Sequence, residues 1–297
     1  MPSSYTHQLI AEKIYEGLSA ECRAAVSPRA DYFLGAQGGD VFYFYNMTGG
    51  RKNIGKYFHR RNVYGVFNSF AQSVREGAEE AAVSYIAGYV THYAADTVFH
   101  PYVYWFTARE KERTGRRRDN FHALIESDLD SYFVQKEGKE LTGYRLPTSA
   151  DLVHPKEIFP AVERAVAAGD GEVKLKERAF ERAIDRFFRF QDAFEDPDGT
   201  RRRRLYGTEK TMRLPHFFSG LYRRTAPDVR YLNREHAEWY YPAEPSVRSR
   251  ESADDLFSRS VQEGIRLTES FFRAAREGTV LDGTDFSRHF LTGLPAL

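Results

Sequence analysis

His92, Asp96 and His100 stand four residues apart, and His122 and Glu126 repeat the step further along the chain. On an α-helix that interval stacks side chains on one face. Imidazole and carboxylate one turn apart can grip a divalent cation from that face, as the paired histidines of zincin-type sites do. A single pair of this kind usually reads as an exposed couple worth a few tenths of a kcal/mol. Two pairs and an added histidine in apolar surroundings read differently. Val90, Tyr93, Ala94, Ala95, Val98 and Phe99 predict a largely buried helix, where imidazoles and carboxylates are costly without partners. A shared metal ion would supply those partners.

Elements must exist to hold these residues. Ser3, Ser4 and Thr6 offer cap oxygens ahead of an amphipathic helix marked by Ile10, Ile14 and Leu18, with His7 in its first turn. Asp40 follows Gly35, Gly38 and Gly39 and precedes an apolar run, a place for a helix cap or a site residue. His59, in KYFHRRN, reads by itself as a surface histidine beside Arg60 and Arg61. The pattern predicts helix over 70–104, ended or bent at Pro101, a charged loop over 111–118, and a helix over 121–135 capped by Asp119 or Asn120. Helices are expected over 155–168 and 173–194, a loop over 196–207 carrying Arg201 to Arg204, a helix over 210–224 kinked at Pro215, and a last helix over 253–277. The segment 231–242 reads as a pocket wall or an aromatic strut. Period-2 alternation is almost absent, so the expected fold is all-α, a single multi-helix domain with a metal core over 1–135 and helices over 155–297 packed on it.

Composition sets the outer bounds. The 297 residues can bury a sizeable core. Net charge is +1, so no global field selects nucleic acid or membrane, although arginines cluster at 116–118 and 201–204. The single Cys22 excludes an internal disulfide and a cysteine-rich zinc site, leaving His, Asp and Glu to hold any metal. No apolar run approaches the roughly 20 residues of a membrane span. The N-terminus lacks a basic start before an apolar run, so no signal peptide is read and a cytoplasmic location is expected.

The ordered set His7, Asp40, His59, His92, Asp96, His100, His122, Glu126 resembles the ligand series of the zinc-dependent phospholipase C family and of its relatives, the single-strand-specific zinc nucleases. The likeness covers about the first 135 residues and is most specific from His92 to Glu126. It implies a helical fold holding two or three Zn2+ ions in a cleft. By position, one zinc takes Asp40, His59, His92 and Asp96; a second takes His100, His122 and Glu126; a third takes His7 and shares Asp96. It further implies a phosphoester hydrolase, with a phospholipid or other phosphodiester as substrate and Asp40 as the residue that orients or deprotonates water. A nuclease or nucleotidase on the same metal core, acting on nucleic acid, and a non-catalytic metal-stabilised scaffold are the alternatives. Several features depart from the family pattern. Secreted members bind the third zinc through an N-terminal Trp, whereas this chain starts Met1-Pro2; His236 is the substitute considered. The four-residue step from Asp96 to His100 is shorter than theirs. Val41 stands where choline-selective members carry an aromatic residue.

Overall fold

The computed structural model describes residues 4–27, 29–43, 45, 54–59, 62–169, 171, 173–196, 198–213, 216–223 and 225–295. The fold is all-α apart from one small hairpin. In order, the helices are α1 Ser4–Gly17, α2 Ala20–Ala25, α3 Arg29–Gly35, α4 Ile54–Phe58, α5 Val63–Arg75, α6 Glu80–Thr114, α7 Phe121–Lys136, α8 Pro155–Gly169, α9 Glu177–Ala193, α10 Thr200–Thr211, α11 Ala253–Glu277 and α12 Gly283–Phe286. Short 3-10 turns occupy Gly38–Tyr43, Ser219–Leu221 and Val229–Leu232.

The central element is α6, whose 35 residues extend about 52 Å at 1.5 Å per residue. It packs against α1, α3, α7, α8 and α11. Such a helix must be apolar on most sides, and Ala81 to Val103 is buried almost without interruption. The close crossing of α3 over α6 depends on small residues: a Cβ at Gly88 would sit 1.9 Å from the Tyr32 carbonyl oxygen, and one at Gly35 2.0 Å from that of Tyr85.

Several expectations change. The reading over 70–104 merges two helices that break at Gly77, where φ is +81°. Pro101 neither ends nor interrupts α6, which runs on through residues expected to be loop until Gly115 closes it in the left-handed conformation. Pro101 has no N–H to give the Thr97 carbonyl. The chain near its C-terminus covers that spot, with Gly293 at φ +65° so close that a Cβ would lie 2.3 Å from Thr97 O. Residues 200–211 form α10 rather than a loop, because Gly199 adopts φ +70° just ahead of it and leaves the arginine run free to propagate. The helix expected over 210–224 ends at Thr211; Pro215 and Arg224 lie outside the described residues, as do Ser3, Arg60 and Arg61.

The expected local cap of α1 is also replaced. Ser4 and Thr6 bond elsewhere, and the first backbone N–H groups are met by Asp130 of α7. The remaining helices fall close to expectation: α7 is capped by Asn120, and α11 begins with a reciprocal Ser252–Asp255 capping box. The segment 231–242 yields a turn and strand β1 (Trp239–Tyr241), paired antiparallel with β2 (Glu244–Ser249). Trp239 is fully buried against Tyr102 with ring centroids 5.3 Å apart, so it acts as a strut.

Candidate metal centre

Four pieces of chain converge on one face of α6. His92, Asp96 and His100 stack along that face. The first turn of α1 delivers His7, the 3-10 turn after α3 delivers Asp40, His59 follows the last residue of α4, and α7 contributes His122 and Glu126. All are buried except His122, whose side chain is 21 % exposed. Three donor groups result: His7, His92 and Asp96; Asp40, His59 and His92; and His100, His122 and Glu126. Asp96 is the hub. Its Oδ1 lies 3.3 Å from His7 Nε2, and its Oδ2 lies 3.3 Å from His59 Nε2, 3.2 Å from His92 Nε2 and 3.7 Å from His100 Nδ1. Asp40 Oδ1 stands 3.3 Å from His59 Nε2, and His59 Nε2 stands 3.4 Å from His92 Nε2.

These separations carry chemical information. Hydrogen bonds between nitrogen and oxygen cluster near 2.9 Å. Two ligands on a tetrahedral zinc, each at about 2.0–2.1 Å, are about 3.3–3.4 Å apart. The inner contacts fall on the second value. Asp96 Oδ2 makes no well-formed hydrogen bond although ring nitrogens surround it, and a buried carboxylate oxygen in that position is costly unless a cation completes it. A void of about 20 Å³, room for roughly one water-sized body, is bordered by His7, Asp96, His100 and Glu126 and by the apolar Ile10, Ala95, Phe99, Val103 and Leu129. Donor types and spacing therefore fit divalent zinc.

Backbone carbonyls set two of the rings. His59 Nδ1 lies 2.6 Å from Gly55 O, and His100 Nδ1 lies 2.8 Å from Phe290 O. A carbonyl only accepts, so each Nδ1 carries the proton and donates, leaving Nε2 to face the cluster. The glycine turn is equally specific. Gly38 has φ +50°, and a Cβ there would sit 2.0 Å from the His92 ring.

The electrostatics differ between rings. Burial works against a charge on His59, but the Asp40 and Asp96 carboxylates beside its ring outweigh it and raise its pKa to about 10. Burial dominates at His100 and lowers it to about 4. Burial also opposes ionisation of Asp96, yet the surrounding imidazoles, His100 and His92 foremost, hold its carboxyl well below the usual range.

The centre opens at His122. The Tyr104 ring lies 4.7 Å from His122 and 5.8 Å from His100. Beside it runs a groove of about 420 Å³, lined among others by Tyr104, Thr107, Lys111, Pro242, His289 and Leu291.

Three contributors escaped the sequence reading. Asp130 Oδ1 accepts from Thr6 N at 2.7 Å, and its Oδ2 accepts from Tyr5 N at 3.2 Å and from Arg223 Nε at 3.0 Å. The pair so fixes the turn that carries His7. The step of four from Glu126 to Asp130 was a signal for it; nothing local marked Arg223 or the Phe290 carbonyl. His236 does not join the cluster. Its Nδ1 faces Arg250 O at 3.1 Å and Asp255 at 3.4 Å, and its side chain is 57 % exposed. It therefore does not stand in for a third-zinc ligand. Val41 is buried in the core.

A family model described as zinc-dependent phospholipase C matches residues 6–198, more than half of the 297-residue chain. The chain belongs to the zinc-dependent phospholipase C family. Comparison with curated proteins and with solved structures finds no significant match. The family span takes in all eight candidate ligands and extends through α8 and α9, beyond the 135 residues that the motifs had reached. It makes zinc-supported phosphoester hydrolysis the activity at the family level. Among the described residues no helix is long and apolar enough to cross a membrane.

Proposed function

We propose that this chain hydrolyses phosphodiesters and that its substrate is a phospholipid. His7, Asp40, His59, His92 and Asp96 would hold zinc in the inner part of the cluster, with Asp96 shared between positions, and His100, His122 and Glu126 would hold zinc at the open end. The observation that carries this reading is the set of 3.2–3.4 Å separations around Asp96 and His59, the edge length of a zinc tetrahedron. Bound zinc would supply charge neutralisation at the phosphoryl oxygens and lower the pKa of water toward about 7.

The protein's own groups do the rest. Asp40, beside His59, orients the attacking water by accepting its proton in a hydrogen bond. The three donors of the outer group leave a position for substrate. Tyr104 forms the wall between that position and the groove, and the apolar lining from Pro242 and Leu291 suits a hydrocarbon arm better than a sugar-phosphate strand.

The test is hydrolysis by zinc-loaded protein of phosphatidylcholine, single-stranded DNA and a nucleotide monoester, each with and without chelator. Chelator-sensitive release of diacylglycerol is expected. Preferential cleavage of DNA would replace the lipid reading with the nuclease, and no turnover of any phosphoester at full zinc loading would leave a metal-stabilised scaffold.

A further inference from the structure

The arginine run at 201–204 takes no part in the metal centre, and its surroundings are unusual. On α10 and the residue pair after it, Arg203, Arg204, Lys210 and Arg213 are exposed and, among the described residues, form no ion pair. Arg116, at the start of a second exposed arginine run over 116–118, reaches the same helix by donating to the Tyr206 hydroxyl at 2.5 Å. The chain as a whole is close to neutral at +1, so this density of cations is a property of one face.

Three large apolar side chains crown it. Met212 is 64 % exposed, Phe217 42 % and Phe218 36 %. Their exposure is built in. Glu209, itself buried, accepts from Phe218 N, from Ser219 N at 3.1 Å and from Ser219 Oγ at 2.6 Å. Burying a carboxylate to fix a loop is costly, and the loop so fixed holds two phenylalanines in water. The same loop is keyed to the metal centre. His216 stacks on Tyr206 at 4.2 Å and lies 5.8 Å from Phe121, the residue before His122. The apolar crown and the exposed edge of the centre therefore share the N-terminal end of α7.

We propose that this face docks the protein on an anionic lipid bilayer, with Met212, Phe217 and Phe218 entering the headgroup boundary and the arginines meeting lipid phosphates. Aromatic wedges ringed by Lys and Arg are the chemistry of interfacial binding, and each cation near an anionic leaflet adds to it. Nucleic acid fits less well. Phe217 and Phe218 stand edge to face at 86° rather than offering parallel platforms for successive bases, and Met212 has no π-face. The proposal goes beyond the hydrolase reading, since docking is measured without turnover.

The test is flotation of zinc-loaded full chain with vesicles of phosphatidylcholine alone or mixed with phosphatidylserine. Binding to the mixed vesicles, weakened by salt, is expected, with little binding to phosphatidylcholine alone. Phe217→Ser with Phe218→Ser should lower partitioning about tenfold, and Arg203→Gln and Arg204→Gln about fivefold each. Zinc content and cleavage of a soluble chromogenic phosphodiester should stay at the starting level. If that cleavage is absent from the outset, the hydrolase reading falls while docking is still measured. Equal binding to both vesicle types, no binding to either, variants that bind as well as the parent, or tighter binding of a single-stranded oligonucleotide through the same residues would each overturn the proposal.

Discussion

The inner and outer ends of the candidate metal centre place the same residue types in different surroundings. Asp40, His59, His92 and Asp96 have side chains at most 7 % exposed, and their donor atoms already stand at tetrahedral-edge distances. At the outer end His122 is 21 % exposed, His100 Nε2 is 3.8 Å from Glu126, and a groove opens alongside. A donor set shut off from solvent ties a metal to the fold, whereas a set with an open side leaves a coordination position for substrate. The difference follows from position along two helices. Inner donors meet where α1, α3 and the 3-10 turn after it pack on α6, and outer donors meet where the start of α7 and the segment carrying Phe290 reach it.

The largest break should come at the hub. Asp96→Ala removes the carboxylate that lies nearest to four ring nitrogens, the one proposed to be shared between inner zinc positions, and leaves His7, His59, His92 and His100 facing one another. We expect zinc content to fall by the inner ions, phosphodiesterase activity to fall on the order of a thousandfold or more, and stability to drop by about 3–5 kcal/mol. Metal analysis together with denaturant unfolding checks this. An Asp96→Ala protein with full zinc content and an unchanged midpoint would erase the distinction between the two ends.

His122→Ala probes the other end. Since loss of residues that merely support a metal ligand already costs 10–100-fold, activity should fall at least about 100-fold. With a partly exposed side chain lost, stability should change by under about 1 kcal/mol. Zinc should be lost from the outer group alone. A large loss of stability would mean that the outer end is structural as well.

Protons should separate the ends more finely. In the metal-free protein His59, raised to about 10, keeps a proton at neutral pH that the unfolded chain partly releases. The stability so gained is full below about 6.5 and lost as pH rises through 10. Zinc must displace that proton, so inner affinity should climb with pH by about tenfold per unit through that window. His100, lowered to about 4, is already neutral and imposes no such slope on the outer group. Competition titrations with a zinc indicator at a series of pH values measure both; parallel slopes would contradict the assignment of the His59 proton.

The α6 face of the cluster is legible in the sequence because a helix converts a step of four into adjacency, as His92, Asp96 and His100 show. It could not give what depends on distant chain. Asp130 and Arg223 clamp the turn carrying His7 from 93 residues apart, and the Phe290 carbonyl orients His100 across 190 residues. A backbone oxygen has no residue type to betray it. Breakers were the other source of error. Pro101 and the Gly-flanked arginine run were read by their local preferences, and tertiary contacts overrode the first while a left-handed Gly199 restored the second.

Two glycines allow a matched final comparison, smaller in effect than the changes above. Gly38 approaches the His92 ring, and Gly293 approaches Thr97 O within the segment whose Phe290 carbonyl holds His100. Both sit at positive φ, +50° and +65°, so an alanine strains the backbone to a similar degree at either site. What differs is the ring each displaces. Gly38→Ala pushes on an inner donor, and zinc affinity there should fall about tenfold. Gly293→Ala pushes the C-terminal segment off α6, loosens the Nδ1 anchor of His100 and should weaken only the outer ion by a similar factor. If both substitutions weaken the same ion, the two ends are one mechanically coupled unit rather than a closed seat and an open one. Zinc dissociation rates resolved for each ion in the two variants decide between these.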